Sequence, residues 1–173
     1  MTELSIPPTA TVPVMDYRTL MAGFPTGVAV VTTMAGERPR GMTCSSLCSV
    51  TLAPPTLLVC LRSASPTLAA VLDGGAFAVN LLDEDAAATA QLFASGAPDK
   101  FDRTGWRLAP AWGGPLLPGA AHAAANCRVV RTELVRDHVV VFGEVDDLWW
   151  GATRGPLLYG RRQYAAWPGG IEQ

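Results

Sequence analysis

VAVVTTMAGERPRGMTCSSLCSVTLAPPTLLVCL, residues Val28 to Leu61, alternates β-rich runs with turn residues and so announces an antiparallel sheet. Val28-Ala-Val-Val-Thr-Thr33 is a strand, and Ala35-Gly-Glu-Arg-Pro39 is the turn of a hairpin. Gly41 to Leu52 follows as one long strand or a bent pair, stopped by Pro54-Pro55, and Thr56 to Leu61 is a short apolar strand. On the N-terminal side, Asp16 can cap a helix to Ala22 with Tyr17, Leu20 and Met21 on one face, broken by Phe24-Pro25-Thr26-Gly27. On the C-terminal side, Pro66 to Leu72 reads as a helix, Phe77 to Leu82 as a buried strand and Glu84 to Ala94 as an alanine-rich helix. Pro98 to Ala120, dense in Gly, Pro and Trp, reads as an ordered loop with a short strand near Trp106. Strands return at Ala125 to Val135, Val139 to Trp150 and Leu157 to Tyr159. The fold class is mainly β with peripheral helices, in a closed or nearly closed antiparallel barrel whose gaps the helices plug.

The 173 residues suit one domain, expected over residues 16–173, after a flexible tail over residues 1–15 that carries three prolines and no signal pattern. Apolar residues make up 49% and charged ones 16%, greasy enough that a second copy is expected to cover some surface. A net charge of −2 without a basic run argues against nucleic acid as a partner. No apolar stretch approaches the roughly 20 residues that span a bilayer, so no membrane role is expected. Cys44, Cys48, Cys60 and Cys127, with no secretion signal, read as reduced thiols in a cytoplasmic protein. Cys44 and Cys48 would stand about 13 Å apart on a strand, too far to share a metal ion.

Common nucleotide and hydrolase signatures are missing: no GxGxxG after a strand, no Walker loop, no GxSxG elbow. Two histidines, His122 and His138, exclude a multi-histidine metal site. Three stretches could carry chemistry. In Cys60-Leu-Arg-Ser-Ala-Ser-Pro-Thr67 a strand ends, and Ser65-Pro66 starts a helix whose free N–H groups, with Arg62, Ser63 and Thr67, suit a phosphate. The same pattern also serves an ordinary capped helix with one surface arginine. Gly41-Met-Thr-Cys-Ser-Ser-Leu47 offers hydroxyls and backbone groups to a flat ligand, or else is a solvent-facing barrel edge. His138, beside Asp137 at a strand entrance, could orient a nicotinamide or move a proton, or be a loop histidine with no task.

Together these stretches resemble the flavin reductase-like, FMN-binding split-barrel family, and within it the reductase components of two-component flavin-dependent monooxygenases. The matching motifs run in order from Phe24-Pro-Thr-Gly-Val-Ala-Val-Val-Thr-Thr33 through Gly41 to Val50, Pro54 to Leu61, Phe77 to Leu82 and Phe93-Ala94. They continue through Asp99-Lys-Phe101, Pro115-Leu-Leu117, Asp137-His138 and Gly143-Glu-Val145 to Pro156-Leu-Leu-Tyr159. The resemblance implies an antiparallel split β-barrel, a homodimer, bound FMN or FAD, and NADH or NADPH as donor of a hydride from nicotinamide C4 to flavin N5. It implies a separate monooxygenase that receives the reduced flavin. By the same resemblance Thr26, Thr43, Cys44, Ser45, Ser46 and Leu47 meet the flavin, and Cys60, Leu61, Arg62 and Ser63 continue that wall. Ser65 and Thr67 lie near the phosphate; Phe93, Ala94, Ser95, Lys100 and Phe101 close the pocket. His138 (the catalytic candidate), Ser49 and the segment Gly160 to Tyr164 fall at the nicotinamide nucleotide. Leu47 stands where the family often has phenylalanine, and Arg136 where glycine is usual. Rival readings are an oxidase of the pyridoxamine-phosphate type, which would need a basic cluster beyond Arg161-Arg162, and a non-catalytic flavin-binding module.

Overall fold

The computed structural model describes residues 12–169; most of the tail expected over residues 1–15 lies outside the described residues. The elements are α1 (Val14–Ala22), β1 (Thr26–Gly27), β2 (Ala29–Ala35), β3 (Arg38–Cys44), β4 (Cys48–Leu52), β5 (Pro55–Arg62) and α2 (Pro66–Gly74). After them come β6 (Ala76–Leu82), α3 (Ala87–Ala94), β7 (Ala121–Val135), β8 (His138–Trp150), β9 (Leu157–Gly160) and β10 (Gln163–Ala166). Two expected boundaries move. Asp16 sits in the first turn of α1 rather than at its cap, and the carbonyl of Pro13 accepts the N–H groups of Asp16 and Tyr17. α3 starts at Ala87 rather than Glu84, because the Asp83 carboxylate accepts the N–H of Asp85 and holds a turn ahead of the helix.

All strand pairs are antiparallel: a seven-stranded sheet in the order β3-β2-β6-β7-β8-β5-β4 and a small one in the order β1-β9-β10. The large sheet is bent round on itself. Its two edges, β3 and β4, are joined by residues 45–47 alone. Four extended residue steps reach about 14 Å, whereas six inter-strand gaps of a flat sheet span about 29 Å. The edges must therefore approach each other. Ser46 pins the corner: its hydroxyl donates to the Cys60 carbonyl at 3.1 Å and accepts the Cys60 N–H at 3.1 Å.

The curled sheet encloses Ala29, Val31, Cys44, Val59, Leu61, Phe77, Val79, Cys127 and Val141, and α2 adds Leu68 and Val71. Gly143 leaves room for this packing, since a Cβ there would lie 2.6 Å from the Phe77 ring. β2 is buried on both faces. Val28 and Val30 point the other way, into a second core with Ala90 and Phe93 of α3, Leu117 and Leu157. The long loop from Ser95 to Ala120 lies across the outside, carrying one isolated bridge, Arg107 with Leu116, close to where a short strand is expected.

Candidate functional site

Where β3, the start of α2 and the end of α3 meet, they leave a cleft of about 700 Å³. β3 contributes Arg40, Gly41, Met42 and Thr43, the β5–α2 corner gives Arg62, Ser65, Pro66 and Thr67, and α3 with the following loop supplies Phe93 to Pro98, Lys100 and Phe101. Ser65 caps α2 by accepting the Thr67 N–H at 3.2 Å, so the hydroxyl expected for a phosphate is engaged by its own helix and by Met42 Sδ at 3.3 Å. The positive end of α2 still faces the cleft. Three cations, Arg40, Arg62 and Lys100, share the lining. Lys100 Nζ donates to the carbonyl of Phe93 at 3.0 Å, closing the end of α3, and its partial burial lowers its pKa below the ordinary lysine value. Thr43 ties β3 to α3 by donating to the Ala90 carbonyl at 2.6 Å. A Cβ on Gly41 would stand 3.0 Å from Phe93 and 3.1 Å from Phe101, so the edge-to-face aromatic pair, 5.1 Å between centroids, rests on bare backbone.

A second cleft, about 390 Å³, opens on the far side of the β3–β4 corner. It holds Thr26, Ser45, Ser46, Leu47 and Cys48 together with Met21, Ala22, Phe24, Tyr159 and Gly160. The expected flavin wall is thus divided, with Thr43 in one cleft and Ser45 to Leu47 in the other. Two expected contacts turn inward. Cys44 is 4% exposed and Leu61 is not exposed at all, both packed in the enclosed core, so only their backbone could face a ligand. Burial also pushes the Cys44 thiol up, away from thiolate chemistry. Cys60 is half-buried and meets Ser46 through its main chain. Ser49 is exposed on the edge strand β4, opposite Leu57.

Ser63 binds away from the first cleft, its N–H and hydroxyl both reaching the Asp137 carbonyl at 2.9 and 3.1 Å. That clamp brings the β7–β8 turn to the cleft's rim, and His138 lies directly opposite Arg62 in the β5–β8 ladder. His138 Nδ1 is 3.0 Å from Asp137 Oδ1. A carboxylate can only accept, so the proton sits on Nδ1 and Nε2 is left for a ligand. The hydrogen bond from His138, helped by a main-chain hydrogen bond of Asp137 itself and more weakly by Arg62, lowers the Asp137 pKa. Tyr164 packs on Tyr159, 5.0 Å between centroids, and borders the second core; burial raises its pKa. Arg40 and the bend at Gly96 to Pro98 escaped the sequence reading. The alternation Arg38-Pro-Arg40 entering a polar strand was the available signal for Arg40.

A curled antiparallel sheet with a cation-lined cleft beside a helix N-terminus defines a mainly β protein suited to an anionic ligand, and sequence comparison settles the family. The flavin reductase like domain matches residues 21–168, and the chain belongs to that family. It is 48% identical over 162 residues to the flavin reductase (NADPH) of Lentzea aerocolonigenes, covering 92% of this chain and 94% of that one. It is 36% identical over 148 residues to the reductase subunit HsaB of a flavin-dependent monooxygenase from Rhodococcus jostii, covering 86% and 75%. The NADH:FAD oxidoreductase of Streptomyces globisporus, solved with NAD and FAD fragments, superposes with a TM-score of 0.85 at 31% identity, covering 95% and 100%.

Proposed function

We propose that this chain is an NAD(P)H-dependent flavin reductase, taking hydride from NADH or NADPH to FMN or FAD and supplying the reduced flavin to a separate monooxygenase. The carrying observation is the first cleft: Arg40, Arg62 and Lys100 line it together with the N-terminus of α2, Phe93 and Phe101. That donor set fits a phosphorylated cofactor, because two guanidinium forks, an ammonium and the positive end of the α2 dipole all favour a dianion. Thr43 to Leu47 run from this cleft round the β3–β4 corner into the second, so that their main-chain groups and the Ser45 hydroxyl would border a flavin's ring system lying along the corner. When bound, the flavin supplies the hydride-accepting centre. The protein holds the phosphate, shields the ring and places His138 Nε2 at the rim to orient the nicotinamide; no strong acid or base is required of it.

The same proposal includes a split barrel formed by the curled sheet, one domain over residues 16–173 and a homodimer. It also includes a cytoplasmic location, which the four free cysteines suit. No helix among the described residues is long and apolar enough to cross a membrane. The test is anaerobic mixing of the purified chain with NADH or NADPH and FMN, FAD or riboflavin, following loss of the flavin's visible absorbance. Bleaching with at least one donor is expected. Tight flavin binding with no bleaching by either donor would make the chain a flavin-binding module instead.

A further inference from the structure

The β9–β10 hairpin turns on Arg161 and Arg162, whose φ angles are 50° and 62°. A two-residue hairpin of this hand needs both central residues left-handed, which Asn-Gly accepts readily and arginine does not. The strain is held in place. The Arg161 N–H donates to the Ala22 carbonyl at 2.6 Å, and Gly160 lies so close to Pro25 that an added Cβ would be 3.1 Å from the proline's. Neither guanidinium has a carboxylate within 4 Å among the described residues, as is also true of Arg18, Arg38, Arg40, Arg62, Arg107 and Arg136; what sets Arg161 and Arg162 apart is that they are adjacent on one tight turn.

The residues just before the turn, Tyr159 and Gly160, line the second cleft. That cleft presents the hydroxyls of Thr26, Ser45, Ser46 and Tyr159 and the ring of Phe24, with no charged side chain in its lining. The flavin phosphate already has its own cations in the first cleft, so a second unpaired pair beside another cleft points to a second phosphate-bearing ligand. A pyrophosphate, common to NADH and NADPH, carries one charge per phosphorus, while two adjacent guanidinium forks match a dianionic monoester better.

We infer that Arg161 and Arg162 form a phosphomonoester site that recognises the 2′-phosphate of NADPH and so makes NADPH, not NADH, the preferred donor. The inference rests on the reductase reading above. Calorimetry on the flavin-loaded protein tests it, with 2′,5′-ADP and 5′-AMP as probes. The parent should bind 2′,5′-ADP at least about 10-fold tighter than 5′-AMP, the scale of one charge-assisted hydrogen bond. Arg161→Asn and Arg162→Asn, which remove charge while tolerating the left-handed backbone, should each abolish most of that margin, and Arg162→Lys should restore part of it. The ratio of KM for NADPH to KM for NADH should rise in step.

Equal affinity for the two probes, or a margin unmoved by the asparagine variants, would overturn the site. A loss of FMN affinity in those variants with unchanged 2′,5′-ADP binding would reassign the arginines to the flavin phosphate. Arginine-dependent 2′,5′-ADP binding by a protein that reduces no flavin with either donor would sustain the site and remove the reductase reading.

Discussion

Lys100 is the single lysine of the chain, and its ammonium both closes α3 and lines the cation-rich cleft. Burial lowers its pKa, so the free protein releases this proton earlier than an ordinary lysine would. A bound phosphate dianion favours the charged form and raises the pKa again. FMN affinity should therefore hold steady at neutral pH and fall as pH rises through the lowered free-state value, while riboflavin affinity stays flat. Lys100→Arg, charged throughout, should flatten the FMN profile. Parallel curves for FMN and riboflavin in a fluorescence titration would remove Lys100 from the phosphate. Arg136 is legible in a different way. The family resemblance leads to the expectation of glycine there, and the structure supplies a reason for one: φ is 56°, and the turn is clamped by Ser63 on the Asp137 carbonyl. Relieving a left-handed arginine gains about 1–2 kcal/mol, offset by about 0.5–1 kcal/mol of glycine's unfolded-chain entropy. Arg136→Gly should raise stability by about 0.5–1 kcal/mol, seen as a higher urea midpoint at constant m. A lower midpoint would mean that the arginine side chain contributes more than its backbone costs. Cys44 shows where reading residue by residue misleads: on a strand, neighbours face opposite ways, so Thr43 and Cys44 could not both present side chains to one ligand.

Elements whose signals are local were readable. Ser65-Pro66 starts α2 through its own cap, and the β2–β3 hairpin turns at Gly36, whose φ is 60°. β1 and β10, two and four residues long, are too short to show a period. The Ser95 to Ala120 loop was opaque for another reason: its shape is set by asparagines far away in sequence. Asn80, fully buried in β6, donates to the carbonyls of Val30 and Pro115 and to Thr32 Oγ1, and accepts the Leu117 N–H at 2.9 Å. Asn126 in β7 accepts the Gly113 N–H at 2.9 Å and donates to Asp146. Between these anchors the backbone touches the sheet; a Cβ on Gly114 would fall 2.1 Å from the Thr32 carbonyl oxygen. Asn80→Leu keeps the volume but strands the buried Leu117 N–H, at a cost of about 1–3 kcal/mol, while the Pro115 carbonyl keeps the Thr32 hydroxyl at 2.7 Å. The variant should lose about 1–3 kcal/mol in urea unfolding, and the Leu117 amide should exchange far faster in the native state. Protection at Leu117 equal to the parent's would show that the loop is held by its apolar contacts with Ala78 and Ala124 instead.

At the scale of the whole molecule, the described chain leaves apolar surface with nothing over it. α1 carries Val14, Met15, Tyr17, Leu20 and Met21 and buries none of its residues. β4 is an edge strand exposed along all five positions, with Leu52 89% exposed. Met21 and Phe24 share the second cleft with Leu47 and Cys48, so the end of α1 and the start of β4 belong to one continuous surface. An uncovered amphipathic helix beside an unpaired strand edge is costly in water, and a second copy related by a two-fold axis would cover both at once. Light scattering at micromolar concentration should give twice the 18.2 kDa chain mass. Leu20→Arg and Leu52→Arg, which put a charge into the proposed interface and touch no core, should shift the mass toward one chain while leaving the far-ultraviolet dichroism unchanged. Because both clefts border the corner that joins β3 to β4, the dissociated variants should also bind FMN more weakly, and raising protein concentration should recover that affinity. A parent that scatters as a single chain, or charged variants that remain dimeric, would place the apolar face against something other than a second copy.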